Sequence, residues 1–120
     1  KNIKNILLDQ NIISGIGNIY ANEILFYSKI NPKKIGSKLN FIEINKLIKF
    51  SKKVIKKAIL RGGSSIRNFK NSNGERGSFQ NEFKVYDKKD QLCPNLRCKK
   101  KIIKVNISNR STFYCPYCQK

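Results

Sequence analysis

The sequence predicts an α+β fold that is mainly α. Apolar residues recur at helical spacing through the first 60 residues, and Gly and Pro separate those stretches. The last part of the chain instead alternates apolar and polar residues and holds all four cysteines. A length of 120 residues suits one domain or two small ones. The shift in composition divides the chain into a helical part, 1–82, and a cysteine-bearing part, 83–120.

In order along the chain, Ile3, Ile6, Leu7 and Ile13 form an apolar stripe that predicts a helix over 3–13, stopped by Gly15. A second helix is predicted from about Gly17 to Lys29, with Ile19, Tyr20, Ile24 and Tyr27 inward and Pro32 preventing continuation. Gly36-Ser37 marks a loop. Asn40 with Glu43 three residues on resembles a capping box. It opens a long helix over 41–60, whose apolar face is Ile44, Leu47, Ile48, Val54, Ile55, Ala58 and Ile59. Its lysine face reads as solvated surface, and Gly62-Gly63 ends the helix. Residues 64–82 read as a polar loop. Phe83-Lys84-Val85-Tyr86 alternates like a strand, and Asp87 to Asp90 form a polar turn.

With 26 Lys and Arg against 7 Asp and Glu, the formal charge is +19. Such a field favours polyanions, either nucleic acid or an anionic membrane surface. Lys, Ile and Asn dominate the composition, as in proteins from AT-rich genomes, so part of the lysine excess reflects codon usage. The five arginines (Arg61, Arg67, Arg76, Arg97 and Arg110) are not explained that way. No apolar run is long enough to span a membrane, and no signal peptide is visible, which predicts a cytosolic location. The chain has no Met and opens on Lys1, so it reads as a segment of something longer.

Four residues separate Cys93 from Cys98, two separate Cys115 from Cys118, and 16 lie between the pairs. Two apolar stretches, 102–107 and 112–114, sit between them as the strands of a hairpin. Two cysteine knuckles on a hairpin make a zinc ribbon, with Zn2+ held by Cys93, Cys98, Cys115 and Cys118. Two disulfides are the alternative, in an oxidising compartment. Four thiolates leave no open coordination position, so the metal is expected to be structural.

The second chemical signal is Ser14-Gly15-Ile16-Gly17-Asn18. Gly15 can turn left-handed, and Gly17 lets backbone or ligand approach the helix that starts at Asn18. A helix start presents free N–H groups that attract phosphate. Many such turns only join two helices, and Arg110 beside Ser111 is equally a surface charge or a phosphate contact.

Leu8-Asp9-Gln10, then Gly15-Ile16-Gly17-Asn18-Ile19-Tyr20-Ala21 and Glu23, resembles the helix–two-turns–helix of bacterial formamidopyrimidine-DNA glycosylase. Gly62-Gly63-Ser64-Ser65-Ile66-Arg67-Asn68-Phe69, Phe83-Lys84-Val85-Tyr86 and the tail from Arg110 to Lys120 are similar to the same family in order and spacing. The resemblance implies a helix–two-turns–helix bundle followed by a four-cysteine zinc-ribbon β-hairpin. It implies a bifunctional glycosylase/AP lyase that flips oxidised purines such as 8-oxoguanine out of duplex DNA, excises them and nicks the strand. The family's catalytic N-terminal proline and adjacent glutamate are not in this chain, so no catalytic residue is assigned. By position, Lys4, Gly17, Asn18 and Arg110 would hold phosphates. The stretch Ser72, Asn73, Gly74, Glu75, Arg76, Gly77, Ser78 and Phe79 would cover the flipped base. The resemblance further implies damaged double-stranded DNA as partner, no membrane, a monomer, and a bacterial cytoplasmic location at the nucleoid. The family's first knuckle usually has two residues between its cysteines and a glycine after the second, where this chain has four and Lys99. An endonuclease VIII-like glycosylase and a non-catalytic zinc-ribbon module binding RNA or DNA are the competing readings.

Overall fold

Asn2 begins the first helix by accepting the Asn5 N–H on its side-chain oxygen at 2.8 Å. The computed structural model describes residues 1–60 and 83–120. It contains α1 (Ile3–Leu8), α2 (Asn18–Ser28), a single 3-10 turn (Gly36–Lys38), α3 (Phe41–Leu60), β1 (Ile103–Ile107) and β2 (Arg110–Tyr114). The α+β, mainly α expectation holds. The predicted helix end at Gly62-Gly63 and the loop 64–82, with the cover stretch Ser72 to Phe79, lie outside the described residues.

The first helix stops at Leu8, five residues short of the apolar stripe. Asp9 turns extended, and its carboxylate accepts the Asn11 N–H while its carbonyl accepts those of Ile12 and Ile13. That local bonding competes with the helix and wins. Two turns follow. Gln10 holds them, accepting the Gly15 N–H at 3.0 Å and donating to the carbonyls of Leu8 and Ile16. Gly15 is left-handed at φ 94° within the second turn, not at a helix end.

Helix α2 ends at a left-handed Lys29, ahead of Pro32, and the Ile30 N–H closes onto the Leu25 carbonyl. At α3 the capping box forms reciprocally: Glu43 N–H to Asn40 at 2.8 Å, and Asn40 N–H to Glu43 at 3.0 Å. Lys34 adds an ion pair to Glu43 at 2.6 Å. Ile3, Leu7, Ile16, Ala21, Ile24, Leu25 and Ile30 form the first core, joined by Val54 and Ala58 of α3. The rest of the α3 apolar face is less covered than its periodicity implies. Ile48 and Ile59 are exposed, and with Leu7, Ile13, Ile16, Leu47, Ile55 and Leu60 they line an open groove of about 690 Å³.

Phe83 to Tyr86 is not a strand. The N–H groups of Lys84, Val85 and Tyr86 all donate to the Glu23 carboxylate, at 2.6, 3.0 and 2.9 Å, so they have no strand to pair with. The hairpin does form: β1 and β2 pair antiparallel, from Ile103 opposite Tyr114 to Ile107 opposite Arg110. Ser108 and Asn109, both at positive φ, make the two-residue turn whose twist suits a hairpin. A second core of Val85, Ile102, Phe113 and the cysteines lies beneath it.

The ribbon is fastened to the helices by buried side chains. Asn22 of α2 accepts the Phe113 N–H at 2.7 Å and donates to the Asn18 carbonyl. Gln119, itself buried, accepts the Cys115 N–H and donates to the Ile30 carbonyl.

Candidate nucleic-acid interface and metal centre

The two knuckles bring the sulfur atoms of Cys93, Cys98, Cys115 and Cys118 within 4.8 Å of one another. Cys93 to Cys118 is 3.7 Å and Cys98 to Cys115 is 3.6 Å, far longer than the ~2 Å of a disulfide. Tetrahedral thiolates at ~2.3 Å from a zinc ion stand roughly 3.8 Å apart. Four thiolates this close repel one another, so ionising all four together calls for a cation among them. The widened first knuckle keeps its ligand geometry through Asn95. Its carbonyl accepts the Cys98 N–H, its side-chain oxygen accepts the Arg97 N–H, and its amide reaches Cys118 Sγ at 3.6 Å. Thr112, Phe113 and Tyr114 of β2 then lead straight into Cys115, which ties the orientation of that strand to the metal centre.

At the other end of β2 the structure brings together the four residues singled out for phosphate. Gly17 caps α2 with no side-chain bond, and the space where its Cβ would stand is open. Asn18 follows as the first helical residue and turns its side chain to the ribbon, its amide donating to the Ser111 carbonyl at 3.1 Å. Lys4 is fully buried. Its amine donates to Asn18 Oδ1 at 2.6 Å and Thr112 Oγ1 at 2.7 Å, and lies 3.5 Å from the Ser111 carbonyl. Arg110 is exposed at the start of β2, and its charge acts on Lys4. Burial, and then Arg110, lowers the Lys4 amine to about 8.

The geometry places a helix N-terminus, a carboxamide and two cations around one corner between α2 and β2. Such a corner can take an anion. Lys4 is an internal member of the cluster, whereas Arg110 faces solvent. Several residues with structural work at this corner escaped the reading of the sequence. Thr112 and Ser111 hold the amine, and Tyr86 pairs with Asn18, its phenol raised by burial and by Asp87 against that hydrogen bond. Glu23, buried, anchors the segment that carries Tyr86, and burial raises its carboxyl despite the three N–H donors. Each acts across at least 60 residues of sequence, so no local spacing signals it.

The family model described as the formamidopyrimidine-DNA glycosylase H2TH domain matches residues 1–70. A zinc finger found in FPG and IleRS matches residues 96–120, so the four cysteines form one structural zinc site. Among curated relatives, the formamidopyrimidine-DNA glycosylase of Carboxydothermus hydrogenoformans is 46% identical over all 120 residues, which cover 45% of that protein. That of Rickettsia bellii is 47% identical over 118 residues, 98% of this chain and 42% of the relative. The chain therefore spans less than half the length of the relatives it matches. Lactococcus lactis Fpg, solved with DNA containing an abasic site, superposes with a TM-score of 0.85 at 39% identity, covering 100% of this chain and 42% of that one. MutM solved with DNA containing carbocyclic 8-oxo-G gives 0.84 at 38% identity, covering 100% and 41%. A helix–two-turns–helix corner and a four-cysteine ribbon, matched in sequence and in shape, lead to one conclusion: this chain belongs to the formamidopyrimidine-DNA glycosylase H2TH-domain family and carries the family's zinc finger.

Proposed function

We propose that this chain is the DNA-binding part of a bifunctional DNA glycosylase/AP lyase that excises oxidised purines, 8-oxoguanine and formamidopyrimidine, from double-stranded DNA in base-excision repair. The observation that carries the reading is the corner where the start of α2, Asn18 and the ribbon-borne Arg110 meet. A flanking phosphate placed there would be held by helix N–H groups, by the Asn18 side and by the Arg110 guanidinium. Lys4 supports that corner from within. The stretch Ser72 to Phe79 covers the extruded base in this reading, and residues 1–82 and 83–120 act as helical and ribbon domains of one binding unit. The catalytic amine belongs to a part of the protein outside this chain. The protein works as a monomer in the bacterial cytoplasm, at the nucleoid. Among the described residues no helix is long and apolar enough to cross a membrane.

The test uses the full-length protein and a duplex with a single 8-oxoguanine. Strand cleavage at the lesion, with a covalent protein–DNA adduct after borohydride reduction, is the expected result. Tight duplex binding with neither cleavage nor adduct would leave a non-catalytic binding module. Preferential cleavage at oxidised pyrimidines would move the protein to the endonuclease VIII side.

A further inference from the structure

Helix α3 carries two apolar stripes, and α2 packs against one of them. At about 100° per residue, Leu47, Val54 and Ala58 share one line along the helix. Val54 and Ala58 are buried in the first core. Ile44, Ile48, Ile55 and Ile59 fall on a second line, about a quarter turn away. Ile48 is 51% exposed and Ile59 72%, so this second line is open. Leu7 of α1, with Ile13 and Ile16 of the two turns, faces it across the groove of about 690 Å³.

Small-molecule pockets of this size carry a few placed polar groups. Here the lining offers the Ser51 hydroxyl and, at the exposed rim, the amines of Lys52 and Lys56. An apolar floor of aliphatic residues at helical spacing instead fits another helix laid along α3. A second copy of the chain would set the same two lysines against their own counterparts, in a molecule of charge +19. The rim therefore suits an occupant with acidic flanks. Among the described residues neither lysine is paired with a carboxylate, the ion pairs being Lys1 with Asp9 and Lys34 with Glu43.

In the reading above the catalytic part is N-terminal to this chain, and the curated relatives are more than twice as long as it. Lys1 is held beside the groove. Its carbonyl accepts the Gly36 N–H at 3.0 Å, and its side-chain amine pairs with Asp9 at 2.7 Å. The Asp9 carbonyl in turn accepts the N–H of Ile13, part of the groove wall, at 2.9 Å. Chain preceding Lys1 reaches that wall in roughly four extended residues, at ~3.4 Å each.

We propose that the groove seats an amphipathic helix from the segment immediately before Lys1, apolar toward Ile48, Ile55 and Ile59 and acidic where it meets Lys52 and Lys56. This docking rests on the reading that the chain is part of a longer protein, and it adds where the remainder is fastened. Covering the open stripe completes the first core and clamps α3 to the turns that carry Gly15 and Gly17. Those turns are then held by a segment continuous with the catalytic part.

The test treats the full-length zinc-loaded protein, free of DNA, with a water-soluble carbodiimide. The reagent activates a carboxylate, a touching amine attacks it to form an amide, and the carbodiimide leaves as its urea. Mass spectrometry of the monomer is expected to find Lys52 or Lys56 joined to an Asp or Glu within about 25 residues before Lys1, the span of a short link and a helix of ordinary length. Changing Ile48→Gln and Ile59→Gln together is expected to abolish that cross-link and to lower the urea midpoint. The wild-type cross-link carries the test if the double variant does not fold. Joining to Glu75 or Glu82, to a second copy, or to an acid farther upstream would overturn the proposal. So would no cross-link at all, or one undiminished in the double variant. Borohydride trapping on the 8-oxoguanine duplex is run on the same protein. A trapped adduct alongside any of those contrary results overturns the docking alone. A native protein with nothing before Lys1 and no trapped adduct overturns the longer-protein reading itself.

Discussion

Glu23 sits on α2 yet organises backbone more than 60 residues away, where three consecutive N–H groups converge on its carboxylate. Glu23→Ala would leave the Val85 N–H buried without a partner, at about 1–3 kcal/mol, while those of Lys84 and Tyr86 are part-buried and lose less. A loss of about 1–3 kcal/mol in urea unfolding is expected. A change within about 0.5 kcal/mol would mean that the segment re-pairs elsewhere. Arg110 makes the opposite kind of contribution: it is exposed, and in the proposed complex it meets a phosphate. Arg110→Ala should leave folding unchanged and weaken lesion-duplex binding by about 1–3 kcal/mol, the range for a charged hydrogen bond. Titration of the DNA-free protein offers a further check on Lys4. Its amine is lowered to about 8 in the fold, so between pH 8 and the ordinary lysine range the unfolded chain binds more protons. Stability therefore rises with pH in that window, by at most about 1.4 kcal/mol per unit, and Lys4→Met should abolish the rise.

At the scale of elements, the sequence was most legible where the determining interactions are short in range. The Asn40–Glu43 capping box, the hairpin turn and the cysteine knuckles each close within a few residues, and each is found in the structure. Periodicity misled where it reports only which face is buried. Ile12 and Ile13 extend the helical stripe, but Asp9 diverts the chain first. Phe83 and Val85 are buried as an alternating strand requires, yet their neighbours bond a carboxylate and not a strand. The corner between α2 and β2 was legible as residues and not as an arrangement: nothing local to Lys4 shows that Thr112 will hold it. The ribbon has a small core completed by its thiolates, so chelation should unfold it. Amide exchange after metal removal is expected to speed up from about Cys93 onward and much less in α2 and α3. Equal protection with and without metal would contradict a structural zinc.

For the molecule as a whole, a formal charge of +19 sets how binding responds to salt. Each phosphate neutralised contributes a slope of roughly −0.9 in log affinity against log salt. Duplex affinity should fall steeply as salt rises, and Arg110→Ala should reduce the slope by roughly one contact. A flat salt response would mean that the charge is surface composition and not an interface. Among the described residues the two cores are joined by hydrogen bonds of Lys4, Asn18, Asn22 and Gln119, and Tyr86 packs against both.

The contact between Lys4 and Thr112 joins residues 108 apart in sequence. Contacts of such separation form late in folding, because chain entropy must be spent on a large loop before they return any energy. After dilution from denaturant, helical signal should therefore recover before the ability to hold a phosphate does. Native-state amide exchange is likewise expected to be faster at this corner than within either core, since it depends on both remaining docked. Time, as well as geometry, separates a folded helix pair from a working interface.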